Sequence, residues 1–133
     1  MLVVTRFVVA EEGQDGFVER AHTALATLAA RPGYLTGRLA RSLDEPAYWC
    51  LVTEWESVGA YRRALSSFEV KVDATPLLAE SLHEPSAYEV LAAARPGGAV
   101  EVSDSDRAPD VRPGPPGRPG PQAGGGTALR SRS

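Results

Sequence analysis

Apolar and polar positions alternate, then change period, then alternate again along the first two thirds of the chain. Leu2 to Ala10 is rich in β-branched residues and stops at Glu11-Glu12-Gly13, which predicts a strand. From Asp15 the spacing becomes helical. Phe17, Val18, Ala21, Leu25 and Leu28 fall on one face, Asp15 is placed to cap, and Pro32-Gly33 stops the helix after Arg31. Tyr34 to Leu43 alternates, with Leu35, Leu39 and Leu43 expected on one side and Arg38 and Ser42 on the other. Asp44-Glu45-Pro46 makes a turn, and Ala47 to Glu56 returns as a second strand, giving a hairpin. Ser57 caps a helix carrying Val58, Tyr61 and Leu65, after which Phe68 to Leu82 reads as helical turns broken at Pro76. A last strand is expected over Ser86 to Leu91.

This order is β-α-β-β-α-β, an α+β protomer of ferredoxin-like plan: an antiparallel sheet with helices on one face. The third strand is apolar at both parities, with Tyr48, Cys50 and Val52 on one side and Trp49, Leu51 and Trp55 on the other. A sheet apolar on both faces implies that a second copy covers the side without helices, so a homodimer is expected.

Composition sets the domain boundary. The chain has 133 residues, and 15 of the 38 from Pro96 onward are Gly or Pro. That stretch has no aromatic residue, and too little apolar area to offset the entropy of ordering it. The expected division is a folded domain over 1–92 and a disordered Pro/Gly-rich tail over 93–133.

Charge and cysteine content narrow the function. A net charge of −3 disfavours a nucleic-acid binder that lives on phosphate neutralisation. One Cys and two His are too few for a closed Cys/His zinc site, and a single Cys forms no internal disulfide. No metal and no cofactor is expected. No apolar run reaches the ~18 residues that span a bilayer, and the start lacks the pattern of a signal peptide, so a cytoplasmic protein without membrane contact is expected.

Of nine aromatic residues, Tyr34, Tyr48, Trp49, Trp55 and Tyr61 cluster in the hairpin and the helix after it. Trp49, Leu51, Thr53 and Trp55 share one face of the third strand, which would form a pocket wall if it meets the helices. Such a wall suits a flat apolar ligand. Oxygenation without flavin or metal asks for this: a phenolic substrate loses a proton, its anion reduces O₂, and the protein excludes water and holds the anion near a donor. His22, at the edge of the first helix's stripe, is a candidate base near neutral pH. Arg38 is a candidate anion stabiliser, and Tyr34, at the start of the hairpin, a candidate contact. Each has a plainer reading: Trp55 and Tyr61 as core, Tyr34 as packing on the first helix, His22 and Arg38 as solvated flanks. His83 reads as a surface loop residue and Cys50 as a small hydrophobe.

The stretch RPGYLTGRLARSLDEPAYWCLVTEWESVGAYRRAL resembles the antibiotic biosynthesis monooxygenase family. The resemblance rests on Pro32-Gly33-Tyr34 before the hairpin, on Trp55-Glu56-Ser57 ending its second strand, and on Tyr61, six residues after that Trp. It covers about residues 1–91 and implies a dimeric α+β barrel. It also implies cofactor-independent oxidation, by O₂, of a flat aromatic or polyketide-like small molecule, with residues at the Trp55 and Tyr61 positions lining the cleft. Leu51 stands where the resembling polyketide oxygenases place an Asn against the substrate. The haem-degrading branch needs a Trp where Ala64 stands, a His between Phe68 and Thr75, and an Asn on the first strand; this chain has none of these. Two other readings use the same fold: a non-catalytic dimeric small-ligand-binding or stress-response protein, and a different enzyme such as an isomerase, cyclase or peroxide-handling protein.

Overall fold

A computed structural model describes residues 1–104. Alternation in Leu2–Val8 gives β1, and a single 3₁₀ turn over Glu11–Gly13 leads into α1, Gln14–Ala29. The hairpin is β2, Tyr34–Arg41, with β3, Tyr48–Trp55. Three helices follow: α2, Val58–Ser66, α3, Phe68–Asp73, and α4, Thr75–Leu78. Then come β4, Ala87–Tyr88, and a small hairpin of β5, Ala92–Ala93, with β6, Glu101–Val102. The main sheet is antiparallel in the order β2-β3-β1-β4, the expected α+β ferredoxin-like plan.

Register decides which side chains meet the helices. Val3, Thr5 and Phe7 of β1 stand opposite Thr53, Leu51 and Trp49 of β3, and all six are buried. Phe17, Ala21, Ala24 and Leu28 of α1 close over them. The other parity, Val4, Arg6 and Val8 opposite Val52, Cys50 and Tyr48, forms a face without helices.

Several sequence expectations are corrected. The cap of α1 is Gly13 rather than Asp15, because the 3₁₀ turn already starts the helical course ahead of it. Leu35 and Leu43 do not join the buried side: they are 49% and 99% exposed. Tyr34 pairs with Trp55 but Thr36 pairs with Glu54, so Leu35 is the extra residue of a β-bulge and simple alternation fails across it. Pro76 does not break a helix; it sits in the first turn of α4, where its missing N–H costs nothing, and the break falls at Ala74. The buried face of α2 is Ala60 and Ala64, with Tyr61 and Leu65 only partly covered. The last strand shrinks to Ala87–Tyr88.

The tail expected over 93–133 lies outside the described residues from 105 onward. Within its first part the β5–β6 pairing and the left-handed Gly97 (φ 71°) give a turn that composition did not indicate, and every residue from 91 to 104 is exposed.

Candidate functional site

The Pro32-Gly33-Tyr34 and Trp55-Glu56-Ser57 segments meet at one junction. Gly33 has φ 89°, a conformation that an L side chain enters only with strain, and a Cβ there would collide with the Cβ of Ala60 on α2. The Glu56 N–H donates to the Gly33 carbonyl at 2.8 Å. The Trp55 N–H donates to the Met1 carbonyl at 2.8 Å, and the Met1 ammonium donates to the Trp55 carbonyl at 3.0 Å. Ser57 Oγ accepts from the Ala60 N–H at 3.1 Å and caps α2. Backbone geometry thus asks for Gly33 and for a capping side chain at Ser57 where β1, β2, β3 and α2 converge.

Three aromatic side chains come together at this junction. The Tyr34 and Trp55 rings meet edge to face at 5.4 Å, and Trp55 and Tyr61 lie 5.5 Å apart at a tilt of 54°. Trp55 is wholly buried, and its indole Nε1–H donates to Thr53 Oγ1 at 2.9 Å, so its one polar atom is satisfied inside the protein. The space expected beside Trp55 is filled by Tyr34, Tyr61 and Thr53. Burial raises the hydroxyl pKa of both Tyr34 and Tyr61, so both phenols stay protonated and can donate a hydrogen bond at neutral pH.

Gly37 is a part of this cluster that sequence reasoning missed, as is the role of Thr53, expected on the wall, in accepting the Trp55 N–H. Gly37 pairs with Thr53 across the hairpin, and a Cβ on it would run into the Tyr34 hydroxyl and Leu25 Cδ1. The missing side chain is what lets Tyr34 lie over the strand. A lone Gly inside an alternating strand was the available signal for such a close approach, as was the i, i+2 spacing of Thr53 and Trp55.

The remaining candidates lie elsewhere. Leu51 is buried on the helix face, opposite Thr5 and Leu39. Trp49 packs against Phe17 at 5.4 Å, six residues along β3 from Trp55. Arg38 is exposed and stands opposite Val52 on the face without helices, away from the three rings. His22 is exposed on α1. Among the described residues no group of three or more His, Cys, Asp or Glu could hold a metal ion.

Among the described residues, several open cavities lie away from Trp55. One of about 320 Å³ sits between α1 and the α3–α4 segment, against Glu19, Arg20, Val72 and Leu77. One of about 470 Å³ lies at the β2–β3 turn, against Arg6, Arg41, Tyr48 and Trp49. A smaller one of about 230 Å³ lies between β1 and α1, beside Phe7 and Phe17.

Comparison with known proteins rests on this same region. The family described as antibiotic biosynthesis monooxygenase matches residues 1–72, which hold β1 to α2 and the whole aromatic cluster. The chain belongs to that family. Among solved structures, a conserved protein from Methanosarcina mazei aligns with a TM-score of 0.55 at 21% identity, over 65% of this chain and 84% of the other. A variant of SnoaB, a cofactor-independent oxygenase from Streptomyces nogalater, aligns at 0.54 and 21% identity, over 80% and 93%. A Mycobacterium tuberculosis protein aligns at 0.53 and 16% identity, over 80% and 97%. At these identities the likeness concerns the fold. No curated protein sequence matches this chain. No helix among the described residues is long and apolar enough to cross a membrane.

Proposed function

We propose that this member of the antibiotic biosynthesis monooxygenase family oxidises a flat aromatic or polyketide-like small molecule with O₂, using neither flavin nor metal. One observation carries the reading: two protonated phenols, Tyr34 and Tyr61, flank a fixed indole at the junction of the hairpin with α2. A substrate with an acidic C–H or O–H loses a proton, and its anion transfers an electron to O₂. Recombination forms a carbon–oxygen bond. One oxygen atom stays on the substrate as a carbonyl, and the other leaves as water with two substrate hydrogens. The phenols supply donors for the substrate oxyanion, where charge develops. Trp55 serves as the wall that holds both phenols, since it is sealed behind them. In this arrangement His22 and Arg38 take no part in the chemistry, and the substrate's own acidity replaces a protein base.

The protein works as a homodimer in this reading. The face without helices bears Val4, Val8, Val52, Tyr48 and Tyr88, and a second copy would remove that apolar area from water. Light scattering during size exclusion then gives about twice the chain's 14.1 kDa.

A second reading, ligand binding without turnover, draws on the complete burial of Trp55 and its internal bond to Thr53. Oxygen uptake with an anthrone or a dihydroxynaphthalene, compared with anaerobic incubation, separates the two. Uptake that is lost in the Tyr34→Phe, Tyr61→Phe double variant is the expected result. Saturable binding with no uptake removes the oxygenase reading and leaves the binding one.

A further inference from the structure

We propose that the Tyr34 ring is a removable plug: it occupies the seat of an aromatic ligand against Trp55, and a flat ring of phenol size binds by displacing it. The seat lies at the junction already assigned to the substrate and rests on that reading; what the plug adds is how the site is held shut. The contacts that define the seat are all on the helix side of the sheet. The Tyr34 ring stands edge to face on the Trp55 indole at 5.4 Å. Its hydroxyl lies over Gly37, in the space that a Cβ would take. Leu25 Cδ1 and Thr53 Cγ2 bound the same space, at 2.7 and 3.2 Å from where that Cβ would stand. Gly37 is not left-handed, so its backbone would accept any residue, and what excludes a side chain there is the phenol. The result is a slot walled by an indole and two methyl groups and ended by bare backbone, which fits a flat ring with one small polar substituent.

No polar contact anchors Tyr34 in this slot. Its hydroxyl makes no hydrogen bond among the described residues, whereas the indole N–H beneath it is bonded to Thr53 Oγ1 at 2.9 Å. An incoming aromatic ring restores the edge-to-face contact that Tyr34 gives up. The exchange therefore loses no hydrogen bond and no ring pair, and Trp55 keeps its Thr53 bond and its Tyr61 neighbour throughout.

The way out is at the border of the sheet. β2 is an edge strand of the main sheet, so the ring leaves without parting two strands. Tyr34 is only partly buried, and the residue after it, Leu35, is the bulged one and is 49% exposed. A bulge re-aims the side chains beside it, and such irregularities gather next to binding sites. The displaced hydroxyl stays at the mouth of the slot, where it serves the bound ring as a donor.

The test uses the full chain with Trp49→Phe, in which Trp55 gives the one indole N–H resonance, and it is run without O₂. The probes are 4-methylphenol, which matches the Tyr34 side chain, and its puckered counterpart 4-methylcyclohexanol. 4-Methylphenol should move the Trp55 resonance saturably, and the saturated alcohol should not. Tyr34→Ala empties the seat, so this variant should stay folded and bind 4-methylphenol about tenfold more tightly or better, because no closed form competes. Gly37→Ala evicts the Tyr34 hydroxyl and should raise the quenching of Trp55 fluorescence by acrylamide severalfold in a chain whose circular dichroism is unchanged. If Gly37→Ala unfolds, the affinity comparison alone decides. The proposal is overturned by equal affinity with and without Tyr34→Ala, by unchanged quenching in folded Gly37→Ala, or by a Tyr34→Ala chain that no longer folds, which would make the ring part of the core. Failure of the oxygenase reading leaves these anaerobic results standing. Oxygen uptake by a chain whose Trp55 resonance 4-methylphenol does not move overturns the plug alone.

Discussion

The two faces of one sheet offer a controlled comparison, because alternate residues of the same strands supply both. Toward the helices β1 and β3 present Val3, Thr5, Phe7, Trp49, Leu51, Thr53 and Trp55, which are all buried and, apart from the Trp49 N–H, polar-satisfied or apolar. Away from the helices they present Val4, Arg6, Val8, Tyr48, Cys50 and Val52, a mix of apolar, charged and thiol groups with partial exposure. The first face is finished by this chain alone. The second is apolar enough to favour a partner and polar enough to hold specific contacts. The covered face therefore sets stability, and the uncovered one is where the proposed second copy would pair.

The sharpest break of that contrast is at Trp55. Trp55→Ala should lower the urea unfolding free energy by about 3–5 kcal/mol, the range for a large aromatic side chain removed from a core. A loss near zero would place the indole on a solvent or ligand surface instead. Gly33→Ala comes next. It imposes a left-handed backbone on alanine and drives its Cβ into Ala60, so a loss on the order of 1–3 kcal/mol is expected by the same measurement. Gly97 is also left-handed, but a Cβ there meets nothing within 4 Å, so Gly97→Ala should cost less than Gly33→Ala.

On the other face Val52→Lys should change unfolding of the separated chain by at most about 0.5 kcal/mol, as for a surface substitution. It should nevertheless halve the mass seen by light scattering. A dimer that survives Val52→Lys would move the pairing surface off this face.

The smallest expected effect is electrostatic. Side-chain hydrogen bonds from Arg6 and Arg20 hold Glu84 and Glu80 below the usual carboxylate range. Their contribution is complete above the unfolded-state carboxylate pKa and is lost as pH falls through the lowered folded-state value. Both pairs are exposed, so the effect is modest and fades with salt. Arg6→Gln with Arg20→Gln should lower stability modestly at neutral pH and low ionic strength and change it least at pH below both carboxylate values, which flattens the acid limb. An unaltered acid limb would assign it to other carboxylates.

Particular residues show how far the sequence could be read. Helical spacing found α1 through Phe17, Ala21 and Leu28, and the Ser57 cap located the start of α2. The aromatic cluster was legible because Tyr34, Trp55 and Tyr61 stand at fixed offsets from turn and cap residues. Its filled state was not. Whether Trp55 walls a chamber or plugs a core depends on whether Gly37 admits the Tyr34 hydroxyl and on where the Thr53 hydroxyl sits, and those are side-chain directions along β2 and β3 that a pattern of residue types does not contain. The hairpin's inward face was misread at Leu35 because a bulge is a property of a strand pair, and one strand's pattern does not contain it.

The sequence by itself determined the order of the main elements and the ferredoxin-like plan, because those follow from periodicity and from residues whose backbone roles are local: Gly33 in its turn, Ser57 at its cap; the family it indicated only through the resemblance of its Pro32-Gly33-Tyr34 and Trp55-Glu56-Ser57 segments. Tertiary structure alone decided that Trp55 is sealed, that Arg38 and Trp55 lie on opposite faces, and that the Trp49 N–H is left without an acceptor. Each of these turns on distances between residues far apart in the chain, and packing sets such distances only when all the elements are in place.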